Sequence, residues 1–102
     1  MKILALEHEL PSATSESFQR FAKDEARKVW ELHQAGSIRE LYFRADPQRA
    51  ILVLECDSTD EAEMMLAQLP YVREGLIAFE LIPLKAYSGF ARLFDRDPSG
   101  ED

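Results

Sequence analysis

A long amphipathic helix framed by strands constrains this chain more than any other feature. Across residues 14–35, Phe18, Phe21, Ala22, Val29 and Leu32 recur at the three- and four-residue spacing of one helical face. Residues 2–10 precede it as an alternating strand, ended by Pro11. Thr14 supplies an N-cap, Glu16 complements the positive helix end, and Gly36 fits a left-handed C-terminal residue. A second strand reads over 38–44, a turn at Asp46-Pro47-Gln48, and an Ile/Leu/Val-rich third strand over 50–56. Ser58 to Glu61 has capping-box spacing and opens a second helix carrying Ala62, Met65, Leu66 and Leu69, with Pro70 closing it. A fourth strand reads over 76–84.

The order is βαββαβ. It predicts an α+β, ferredoxin-like fold: a four-stranded antiparallel sheet with two helices on one face. The chain reads as a single domain over 1–94 with an apolar C-terminal tail, followed by a polar, frayed end at 95–102.

Both faces of that sheet are apolar. In the third strand Ala50, Leu52 and Leu54 oppose Ile51 and Val53; in the fourth, Ile77, Phe79 and Leu81 oppose Ala78, Ile82 and Leu84. Two helices cover one face only. The other would leave a larger apolar patch than monomers tolerate, so the pattern predicts a homodimer packed face to face, a dimeric α+β barrel. The tail from Tyr87 to Phe94 is also apolar and is expected on its own pocket or on a neighbouring subunit.

Composition narrows function by exclusion. Twelve basic and nineteen acidic side chains give a net charge of −7, which disfavours nucleic-acid and anionic membrane partners. The first residues lack the pattern of a signal peptide, and no apolar run is long enough to span a bilayer. The single Cys56 has no internal disulfide partner and reads as an inert thiol in a reducing, cytoplasmic setting. Two scattered histidines and one distant cysteine lack metal-ligand spacing. The acidic runs at 7–9 and 60–63 read as solvated faces.

Glu25 breaks the apolar stripe, four residues from Phe21 and four from Val29, so the helix aims it inward. A carboxyl held against apolar surface resists ionisation and becomes a candidate general base; the alternative is a buried pair with Arg39 or Arg44. His8 alternates in phase with Leu4, Leu6 and Leu10, either as a proton shuttle or anion binder or as a hydrogen-bonded core histidine. Arg39 and Tyr42 lie three apart on a strand, hence on opposite faces unless a bulge intervenes. Arg39 offers a fork for a ligand carboxylate, or a salt bridge. Tyr87 and Phe90 suit a lid over the pocket, or an apolar clasp between subunits. Trp30 is expected to pack and His33 to favour the helix end.

Leu10-Pro11, Lys23-Asp24-Glu25, Gln34-Ala35-Gly36 with Arg39, Leu66-Ala67-Gln68-Leu69-Pro70 and the apolar last strand occur in a succession that resembles the muconolactone isomerase family, a branch of the dimeric α+β barrel superfamily. The likeness extends over most of residues 1–87. It implies a lactone isomerase that moves a proton without metal or organic cofactor, with Glu25 on the position of the family's proton-transfer glutamate. It also implies dimers assembled into larger rings, with C-terminal segments reaching neighbouring pockets. Near the start of the third strand the family carries a tyrosine and an asparagine; this chain has Arg49 and Ile51. The rival readings are a cofactor-independent monooxygenase of the same superfamily and a non-catalytic dimeric ligand-binding or assembly module.

Overall fold

The computed structural model describes residues 1–94; the polar end expected at 95–102 lies outside the described residues. The elements run β1 (Lys2–Glu9), α1 (Ser15–Gln34), β2 (Ile38–Phe43), β3 (Ala50–Glu55), α2 (Thr59–Leu66), α3 (Pro70–Arg73) and β4 (Ile77–Pro83), then a 3-10 turn at Gly89–Leu93. The strands form one antiparallel sheet in the order β2-β3-β1-β4. This is the ferredoxin-like arrangement expected from the βαββαβ pattern.

Local chemistry sets the element ends. Thr14 caps α1: its hydroxyl accepts from the Ser17 amide, and the Ser17 hydroxyl accepts from the Thr14 amide. Such reciprocal bonds satisfy amides that the first helical turn leaves free. Gly36, at φ 83°, ends α1 with the Gly36 amide on His33 and the Ser37 amide on Leu32, a Schellman turn that a Cβ would strain. Ser58 caps α2 through the Glu61 amide, while Glu61 accepts from the Asp57 amide.

One boundary differs from the sequence reading. The second helix stops at Leu66, and Pro70 opens the short α3 instead of closing α2. Proline suits a first helical position because its missing N–H has no partner there anyway. The consequence is functional: Tyr71 follows Pro70, and its amide is left free to bond outside the helix.

The core lies between the sheet and the helices. Ile3, Ala5, Leu52 and Leu54 from the sheet meet Leu32 of α1 and Ala62, Met65 and Leu66 of α2. Leu69 and Ile38 close it, both essentially without exposed surface. On the opposite face Leu4, Leu6, Ile51, Val53, Ala78 and Ile82 are only half-buried. No helix among the described residues is long and apolar enough to cross a membrane.

Candidate functional site

Helix α1 touches the sheet firmly only near its C-terminal end, where Leu32 is its one buried residue. Further back the helix presents Ala22, Ala26 and Val29, and the sheet below presents Ala50. These side chains are too small to fill the gap. A cavity of about 770 Å³ results, walled by α1, α3 and the helix-facing side of the sheet. That volume suits a small organic ligand. Trp30, Leu41, Tyr42 and Phe43 line it and are exposed, so they mark its mouth along the β2 edge. Trp30, expected to pack, is 61% exposed at this mouth.

Glu25 stands on the wall of this cavity and is half-buried. The amide of Tyr71 donates to its Oε1 at 2.9 Å. Among the described residues it forms no ion pair, so the alternative pairing with Arg39 or Arg44 is not made. Burial pushes its pKa above the ordinary carboxyl value; the Tyr71 amide and Arg73 oppose this, and the charge of Glu7 adds to it. Tyr71 is itself anchored, with its hydroxyl donating to the Phe18 carbonyl at 3.0 Å and its ring edge-on to Phe18 at 5.1 Å. Burial, then the charges of Glu25 and Glu7, raise its phenol above the usual range.

Arg39 and Tyr42 both line the cavity. The register slips between Ile38 and Glu40, and beyond this bulge Tyr42 pairs with Ile51, on the sheet face turned from the helices, so Tyr42 borders the cavity only along the β2 edge. Arg39 Nε donates to the Gly36 carbonyl at 2.6 Å. Tyr42 donates to Glu40 Oε1 at 2.8 Å, which raises its phenol pKa. His33, given no role from the sequence, also lines the cavity, with Nδ1 donating to the Ile38 carbonyl at 2.8 Å.

The remaining candidates lie elsewhere. His8 is in phase with Leu4 and Leu6, but that is the sheet face turned away from the helices, so strand periodicity separates it from Glu25. It is exposed near the strand end rather than held in a core. Tyr87 and Phe90 pack edge-on against each other at 4.9 Å, are 74% and 67% exposed, and do not line the cavity of their own chain. A Cβ at Gly89 would run into the Tyr87 ring, so glycine permits that pairing. Arg49 and Ile51 are likewise absent from the lining; Arg49 turns to the Gln48 carbonyl. Cys56 is buried, and burial raises its thiol pKa.

Glu7 is the residue that the sequence reading missed. The acidic run at 7–9 reads as solvated, yet Glu7 shares its strand face with Ile3 and Ala5, both fully buried. That alternation was the available signal. Its Oε1 accepts from the Ala50 amide at 3.0 Å, and it lines the same cavity as Glu25.

Comparison with known proteins bears on the fold. No curated protein matches the sequence. A solved muconolactone isomerase superposes with a TM-score of 0.71 at 20% identity, over 86% of this chain and 92% of that one. A 5-chloro-2-hydroxyhydroquinone dehydrochlorinase from Burkholderia phenoliruptrix AC1100, bound to 2,5-dihydroxybenzoquinone, superposes at 0.60 with 19% identity, over 87% and 98%. Both likenesses establish the fold. The family model for muconolactone delta-isomerase matches residues 4–89, and this chain therefore belongs to the muconolactone delta-isomerase family.

Proposed function

We propose that the protein is an isomerase-like enzyme acting on a small lactone or other carbonyl compound, with Glu25 as the proton-transfer group. The observation that carries this is a half-buried carboxyl on the wall of a ligand-sized cavity, held by one amide and without an ion pair among the described residues. In its ionised form Glu25 takes a proton from the carbon beside the ligand carbonyl. The electron pair of that C–H bond passes into the carbonyl system as an enolate. The Glu25 carboxyl then returns the proton to another carbon, so the double bond moves and nothing else is consumed. A group whose pKa lies closer to the working pH serves both steps better than an ordinary carboxyl. Arg39, at the mouth, offers its terminal guanidinium N–H groups to the ligand's oxygens, and Tyr42 can join it by giving up its bond to Glu40.

The half-buried apolar face of the sheet, with Leu6, Ile51 and Val53, supports a homodimer packed through it. In that assembly the exposed tail with Tyr87 and Phe90 serves as a clasp on a neighbouring copy. Val53→Glu tests the pairing: the variant is expected to sediment as a monomer, and a sedimentation coefficient identical to the parent's would rule this interface out. The free, buried Cys56 suits a cytoplasmic setting.

The catalytic reading is tested by deuterium exchange. The protein should exchange the acidic proton of an unsaturated lactone such as β-angelica lactone or muconolactone. Glu25→Gln should slow that exchange by roughly 10²- to 10⁴-fold. Full exchange by the variant, on a lactone the parent turns over, would end the assignment.

A further inference from the structure

We propose that Glu7 is a positioning residue for Glu25: a fixed carboxylate facing it across the cavity, which makes Glu25 a stronger base without touching the reacting carbon. This rests on the reading of Glu25 as the proton-transfer group.

The geometry is built rather than incidental. Glu7 stands on the helix-facing side of β1, the side of Ile3 and Ala5. The β1–β3 ladder ends at Leu6 and Ile51, so the next amide available for a side-chain bond is that of Ala50. It donates to Glu7 Oε1 at 3.0 Å and fixes the carboxylate at the sheet end of the cavity. Glu25 is fixed on the opposite wall by the Tyr71 amide. Two carboxyls thus open on one small space, each held by a backbone N–H from a different element.

The other groups around Glu25 are few. From α3 come the Tyr71 phenol and Arg73; from β2 come Arg39, Glu40 and Tyr42; from α1 itself comes His33. β3 and β4 offer only Ala50, Leu52, Ile77 and Phe79 there. Arg39 is tied to the Gly36 carbonyl and Glu40 accepts from Tyr42. Glu7 is the one acidic group in this set that acts on Glu25 and favours its protonated form, against Arg73. A like charge across a partly buried cavity acts in this direction.

Glu7 also has a purely structural reading, as an end-cap for the sheet, and one substitution separates the two. In Glu7→Gln the side-chain oxygen still accepts from the Ala50 amide while the charge is gone. Carbon-13 NMR of labelled glutamate carboxyls, with the Glu25 signal assigned by its loss in Glu25→Gln, follows the titration in the full chain. The Glu25 midpoint should move to lower pH by a few tenths of a unit or more, with the melting temperature unchanged. The rising limb of the pH profile for β-angelica lactone exchange should move with it. An unmoved Glu25 midpoint would overturn the proposal and leave Glu7 as a cap. If Glu7→Gln does not fold, Glu7→Met, which removes the same charge at similar length, takes its place, and an unmoved Glu25 midpoint there overturns the proposal equally. A moving midpoint in a protein that exchanges no lactone proton would refute the role given to Glu25, and with it the catalytic part for Glu7.

Discussion

The helix-facing side of the sheet has a filled end and a hollow end, and the contrast explains where chemistry can reside. At the filled end Leu32, Ile38, Leu54, Met65 and Leu66 interlock with no polar side chain among them. At the hollow end Ala22, Ala26 and Ala50 leave space, and the polar groups Glu7, Glu25 and Tyr71 border it. The same sheet and the same helix serve both ends. What changes is side-chain volume. A packed interior cannot accept a ligand, and an empty one cannot hold a fold; this small domain divides the two tasks along one helix.

Substitutions at the two ends should therefore dissociate chemistry from stability. Glu25→Gln carries the largest expected effect, the loss of lactone exchange described above, with folding retained. Leu54→Ala should do the reverse. It removes a fully buried side chain from the filled end and should cost about 2–5 kcal/mol in denaturant unfolding. Exchange per folded molecule should persist. Val29→Ala, at the hollow end, opens no new sealed void because Val29 lines a cavity that opens at the β2 edge. It should cost roughly 1 kcal/mol or less, and a cost as large as that of Leu54→Ala would show that the cavity is collapsed in solution.

The filled end was largely legible in the sequence, and the hollow end only in part. Periodicity places Leu32, Leu52, Leu54, Ala62, Met65, Leu66 and Leu69 inward, because burial repeats with the geometry of helix and strand. It also points Glu25 inward. It does not reveal the bulge between Ile38 and Glu40, since a single slipped residue leaves no pattern. Nor does it reveal Trp30 and His33 at the cavity: packing density, not spacing, decides whether a residue beside the apolar stripe meets a neighbour or a void. Pro70 misled for a definite reason. Proline both ends and begins helices, and only tertiary structure shows that it opens α3 and frees the Tyr71 amide for Glu25.

The smallest expected effect, the pH dependence of stability, most directly probes the electrostatics of the hollow end. Burial raises the Glu25 pKa above its ordinary value of 4.5, with Glu7 adding and the Tyr71 amide and Arg73 subtracting. The folded protein thus holds this proton more tightly than the unfolded chain. As pH rises from the ordinary carboxyl value through the folded one, the unfolded chain binds fewer protons and folding stability falls. The contribution is fully present below the ordinary carboxyl value and is lost as the pH rises through the raised folded one. Glu25→Gln keeps an oxygen for the Tyr71 amide and removes the ionisation. Parent and variant should therefore melt alike in acid and diverge as the pH rises toward neutral, with the variant the more stable. Thermal melts of both across that range check the sign. If the parent instead gains on the variant as pH rises, the Glu25 carboxylate is being stabilised as an ion, and the hollow end is a polar anchor like any other surface pair.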